Sequence, residues 1–198
     1  SYLGPLLVVF AVLVTPLAQP LVKDGQGDYD FIAFATPLAL DFLGLLFLIV
    51  YCAGLVSSEL GSGSIRMALV RPLLRHEYLL AKLMLGVTYA ILLTAVTAGA
   101  SWGIARALGD LNGVSFAGEV LYSGRHMGLT YLAGAAMALA PLFAAVAYAL
   151  MISTLTRNTG AAVGSAVGIW LLLDAVKHPL RIAPFLFTSY METPWQAF

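Results

Sequence analysis

The sequence predicts an all-α polytopic membrane protein: five transmembrane helices, with a short surface helix between the second and the third. Three observations carry that expectation. Of 198 residues, 61% are hydrophobic and only 10% are charged, against roughly 25% charged in an ordinary globular domain. So few charges could not clothe a soluble fold of this size, and lipid must solvate much of its surface. The apolar residues gather into five runs, near the ~17–25 residues a helix needs to cross hydrocarbon about 30 Å thick. Helix is the default for such runs because lipid offers no partner to free backbone groups, and barrel strands are far shorter.

In chain order, the first span, residues 2–18, is short but meets the lower limit. The second, residues 37–57, is interrupted only by Asp41 near one end. The third covers residues 80–105, the Ala-rich fourth residues 127–152, and the fifth residues 160–176, with Asp174 just before its exit. Residues 23–30 form an acidic turn region, and residues 106–126 a mixed loop holding Gly109, Gly113, Gly118 and Gly124. The connection over residues 153–159 is tight, so the fourth and fifth spans should be antiparallel neighbours. The chain starts at Ser1 without a basic leader or cleavage site, and residues 184–198 break off without a final element. A single domain over residues 1–198, incomplete at both ends, is the expectation.

Several function classes fall away. Ten basic residues balance ten acidic ones, leaving no basic excess for nucleic acid. Cys52 is alone, and His76, His126 and His178 are scattered without ligand spacing, so neither a disulfide framework nor a metal site is expected. No Gly-x-x-x-x-Gly-Lys-Ser/Thr sequence is present to hold ATP. Gly61-Ser-Gly-Ser64 lacks the strand-turn-helix setting of a hydrolase nucleophile. An enzyme is not expected, nor a cofactor on this chain.

The stretch Glu59-Leu-Gly-Ser-Gly-Ser-Ile-Arg-Met-Ala-Leu-Val-Arg-Pro-Leu-Leu-Arg-His-Glu-Tyr78 is a charged island between two apolar runs. Ile65, Ala68, Leu69, Pro72 and Leu73 recur near helical spacing, flanked by Arg66, Arg71, Arg75 and Glu77, which predicts a short amphipathic helix along the bilayer surface. Gly61 and Gly63 permit a sharp change of direction after the second span. Periodicity alone favours an interfacial helix whose arginines meet lipid phosphates over one that docks into a soluble partner. Loops 59–82 and 153–158 hold Arg66, Arg71, Arg75, Lys82 and Arg157 in fewer residues than the remaining loops use for the other five basic residues. Basic density thus favours a cytoplasmic island, although the raw count is tied.

The island resembles the segment after the second membrane helix of ABC-2-type permeases, a pattern like Glu-x-x-x-Gly-Thr-Leu-x-x-Leu-Leu-x-x-Pro-x-x-Arg followed by a Lys opening the third helix. Here Glu59, Gly63, Ser64, Ile65, Ala68, Leu69, Pro72, Arg75 and Lys82 stand in that order, with Ser for Thr, Ile for Leu and Ala for Leu as mild departures. The resemblance implies a coupling helix presented to a cytoplasmic ATPase. Glu59 would end the second helix at the interface, and Gly63 and Ser64 would shape the turn. Ile65, Arg66, Ala68 and Leu69 would lie in the contact segment, with Pro72 and Arg75 fixing the exit. It also implies a sixth span, a basic helix before the first, and a cytoplasmic island. Its further implications are a second permease copy or homologue, two ATP-binding subunits carrying ATP and Mg, and an accessory protein outside the cell. The expected place is the cytoplasmic membrane of a bacterium or archaeon, and the expected activity ATP-driven export of an amphipathic or hydrophobic substrate by alternating access. A secondary transporter or a non-transporting membrane scaffold are the rival readings.

Asp41 and Asp174 are the acids expected near membrane depth, as ion pairs or substrate contacts; Lys177 and His178 stand three and four residues beyond Asp174. Trp102, Tyr122, Trp170, Tyr190 and Trp195 read as interfacial aromatics. Ala133, Ala136, Ala140, Ala144 and Ala147 on the fourth span, and Gly160, Gly164 and Gly168 on the fifth, are expected to let another helix approach closely.

Overall fold

A computed structural model describes residues 32, 35–63, 75–108, 113–116, 119–177, 179, 184 and 186–191. The expected first span and residues 64–74 of the surface helix lie outside the described residues. Among those described, four helices are long and apolar enough to cross a membrane. Where the second span was expected, a π-helical run, Leu38–Gly44, leads into α1 (Leu45–Ser62). The third, fourth and fifth correspond to α2 (Arg75–Leu108), α3 (Gly124–Leu155) and α4 (Thr159–Val176). At 1.5 Å per residue, α2 is about 51 Å long, well beyond hydrocarbon thickness, so its charged first turns need not be immersed.

Each boundary has a local cause. Gly63, with φ +71°, stops α1 in the left-handed region that glycine alone enters without steric cost. Asn158 starts α4: its side-chain oxygen accepts from the backbone N–H of Gly160 at 2.9 Å and of Ala161 at 3.5 Å, satisfying donors a helix start leaves open. Between α2 and α3 the structure departs from the all-helical expectation. β1 (Gly113–Phe116) and β2 (Glu119–Ser123) pair antiparallel, with a register irregularity between Val114 and Ser115. Val114, Phe116, Val120 and Tyr122 are β-branched or aromatic and suit a pleated strand, a preference that mixed polarity hides from a hydropathy reading.

The described residues fall into two compact units. One gathers residues 93–139 with those up to Gly44, around a core that includes Ile32, Leu40, Ala98, Met127, Tyr131 and Ala138. Within it the Tyr131 hydroxyl donates to the Ala98 carbonyl at 3.0 Å. Its one hydrogen is then used, so Thr36 Oγ1, also 3.0 Å away, donates to it. Trp102 stacks on the Tyr131 ring at 5.4 Å.

The other unit gathers residues 45–92 and 140–189. Leu45, Leu48, Ile49, Cys52, Ala53, Val56 and Ser57 form the buried stripe of α1, at the alternating three- and one-residue spacing of a single helix face. Ser153 of α3 reaches into that helix. Its hydroxyl donates to the Ala53 carbonyl at 2.6 Å and accepts from the N–H of Ser57 at 3.0 Å and of Val56 at 3.2 Å. It therefore stands between the two groups that an i to i+4 helical bond would join. The Tyr148 hydroxyl donates to the Ala166 carbonyl at 2.8 Å; the two residues stand nearly equal distances from the α3–α4 turn, as antiparallel neighbours do.

Among the described residues of this one chain, close helix approach falls on other small residues. Ala133, Ala136, Ala140, Ala144 and Ala147 are all exposed, while Ala135, Ala138, Leu142, Ala145, Val146 and Ala149 form the buried face of α3. Alanine lines both faces, so small size could not choose between them; the larger Tyr131, Leu142 and Val146 mark the face that is covered. A Cβ on Gly164 or Gly168 would meet nothing within 4 Å among the described residues. The tight crossing is at Gly86, where a Cβ would stand 2.5 Å from Val146 Cγ1 and 3.1 Å from Cys52 Sγ. Gly86→Ala should cost about 1–3 kcal/mol by overpacking, read as a lower unfolding midpoint in detergent, and Val146→Ala in the same chain should restore much of it. A Gly86→Ala protein of unchanged stability would refute this crossing.

Candidate functional site

The last turns of α1 and the first turns of α2 carry the side chains that meet at the base of the 59–82 segment. Glu59 lies in the last turn of α1, half-buried. Tyr78 and Lys82 are four residues apart and thus on one face of α2. Each carboxylate oxygen of Glu59 takes a different partner: Oε1 accepts from Lys82 Nζ in an ion pair, and Oε2 from the Tyr78 hydroxyl at 2.5 Å. Lys82 Nζ also stands 5.5 Å from the centre of the Tyr78 ring, within cation–π range. The Lys82 and Glu59 side chains are 18% and 33% exposed, so water screens the pair only in part, and removing one partner would leave the other charge poorly solvated. The three residues clasp the two ends of the island together.

A second fastening lies beside the clasp. The α3–α4 turn passes so near α1 that a Cβ on Gly61 would stand 2.7 Å from the Arg157 carbonyl oxygen. Gly54, two turns back, faces the Thr159 methyl. The last turn of α1 and the α3–α4 turn thus meet at Gly61. Gly61 serves this approach, while Gly63 makes the change of direction.

Of the residues singled out from sequence, Glu59 and Gly63 are placed as described. Arg75 opens α2, and Ser64, Ile65, Arg66, Ala68, Leu69 and Pro72 lie outside the described residues. Asp41 is half-buried in the π-helical run, a geometry found often at functional sites. Asp174 Oδ1 is 3.0 Å from Lys177 Nζ, with Lys177 the more buried of the two; His178 is outside the described residues. Asp174 stands about 22 Å along α4 from the turn beside Gly61, at the far end of that helix. Sequence reasoning passed over Tyr78 as a functional residue. The Tyr78-x-x-x-Lys82 spacing was the available signal, but it acquires meaning only when Glu59 is seen opposite. Among the described residues, no three His, Cys, Asp or Glu side chains gather as a metal site.

Long apolar helices joined through a charged junction at one end define a class: a helical multi-pass membrane protein. The chain belongs to the family described as "Protein of unknown function (DUF2705)", which matches residues 8–181. No curated protein and no solved structure matches it.

The Gly61 contact is open to direct test. Gly61→Ala must push the Arg157 carbonyl aside, and tryptic cleavage after Arg157 in membranes should accelerate. Gly99→Ala, where a Cβ meets nothing within 4 Å among the described residues, should leave that rate unchanged. Equal cleavage in both variants would show that the turn does not rest on Gly61.

Proposed function

We propose that this chain is the membrane subunit of an ATP-driven exporter of the ABC-2 type, working as a pair with two cytoplasmic ATP-binding subunits. The reading rests on the Glu59-to-Lys82 motif, and the observation that carries it is the clasp. The expected coupling segment, from Glu59 to Arg75, runs between two helix ends that Glu59, Tyr78 and Lys82 hold together. A segment anchored at both ends can pass a displacement on to the helices beside it, which a slack loop cannot.

On this reading ATP and Mg bind the partner subunits, and the chain itself breaks no bond. Nucleotide binding draws the ATPases together and shifts the island. The helices then favour one of two states, inward- or outward-facing, because they make different contacts in each. A first span before α1 and a sixth after α4 complete the pore, in the cytoplasmic membrane of a bacterium or archaeon with the island inside the cell. The cargo is amphipathic or hydrophobic, in keeping with the apolar composition of the spans.

Uptake of such a compound into inside-out vesicles should depend on ATP. It should be lost on Ile65→Asp with Leu69→Asp, while the chain persists in the membrane at unchanged level. Transport that survives these substitutions would overturn the contact role. Labelling of Ser62→Cys by an impermeant maleimide from outside intact cells would overturn the orientation.

A further inference from the structure

The bonds at the end of α1 differ in what they hold. Within unit 45–92 and 140–189, Ser153 ties Ala53, Val56 and Ser57 to α3, and Gly61 rests on the α3–α4 turn. Both fasten α1 to α3 or its turn, and neither reaches α2. Glu59, in that last turn, bonds to Tyr78 and Lys82, which share one face of α2. Beyond it the chain turns at Gly63, whose backbone is left-handed.

We propose that Glu59, Tyr78 and Lys82 are positioning residues whose clasp holds the last turn of α1 against the first turns of α2, so that a displacement at either helix end moves α1 and α2 together. The inference builds on the exporter reading by naming the bonds through which that motion would travel. Lys82 supplies the charge that holds Glu59, and Tyr78 supplies direction, since its hydroxyl donates to Oε2 while Lys82 takes Oε1. Because the ion pair acts by attraction between opposite charges, it should work with the charges exchanged. A purely steric role for either residue would not survive that exchange.

The test uses the purified full chain in lipid nanodiscs without any partner. Spin labels go on Ser62→Cys and His76→Cys, both exposed positions, with Cys52→Ser to remove the native thiol. The unsubstituted clasp should give one narrow distance distribution. Glu59→Gln and Lys82→Met should each broaden it, Tyr78→Phe should broaden it less, and Glu59→Lys combined with Lys82→Glu should return it towards the narrow form. Tyr78→Phe strands no charge and remains informative if Glu59→Gln does not fold. A distribution unchanged by both Tyr78→Phe and Lys82→Met overturns the proposal, as does an exchanged pair no narrower than Glu59→Lys alone. If the distances respond as expected but no ATP-dependent transport is found in vesicles, the exporter reading fails while the clasp stands. Where transport is present, Glu59→Gln should lower cargo moved per ATP hydrolysed, and the exchanged pair should recover it.

Discussion

Hydrocarbon offers no hydrogen bond, and that constraint orders the interior of this chain. A polar group among apolar helices must find its partner in protein. The Ser153 hydroxyl uses its hydrogen on Ala53 and its lone pairs on Val56 and Ser57. Tyr131 is bonded to Ala98 and Thr36, Tyr148 to Ala166, and Thr97 to the carbonyl of Leu93 in its own helix. Lipid is as apolar as leucine, so little hydrophobic drive separates one helix–helix contact from another. These few directional bonds, with the shapes around Gly86 and Gly61, decide which faces meet.

Glu59 is the most demanding case of the same rule. A carboxylate at the end of a membrane helix needs both oxygens satisfied and its charge balanced. Water at the interface could do this, yet the chain spends two side chains of α2 on it. The consequence is mechanical as well as electrostatic: two helices separated by a dozen intervening residues end up joined at their bases. Such a junction suits a segment that must hold its place against a moving partner, which is why it bears the functional reading. Gly61 adds the α3–α4 turn to the same neighbourhood, so three connected elements share one small volume within that unit.

Much of the fold could be read directly. Three of the helices begin within five residues of the hydropathy estimates, because apolar length is a property of local composition. Turn chemistry was partly legible, with Gly63 foreseen as a turn residue, while the cap at Asn158 was available in the sequence and passed over. The hairpin over residues 113–123 was hidden because its strands are too short and too mixed in polarity to register in a hydropathy reading. The alanines of α3 show a different limit. Ala133 and Ala135 are equally small, and only their neighbours across the crossing distinguish the covered face from the open one.

Composition and periodicity by themselves determined that the chain is helical, that its helices are long enough to span lipid, and that residues 59–82 form a polar break between two of them. These follow from interactions each residue has with solvent and with its own near neighbours. Tertiary structure alone decided that Glu59 faces Tyr78 and Lys82, that Ser153 enters α1, and that Gly86 rather than the glycines of α4 makes the tight crossing. Those pairings join residues 19 to 100 positions apart, and no local preference encodes which distant partner will complete a bond. They depend on the relative rotation of whole helices, which is settled only when many side chains are packed at once.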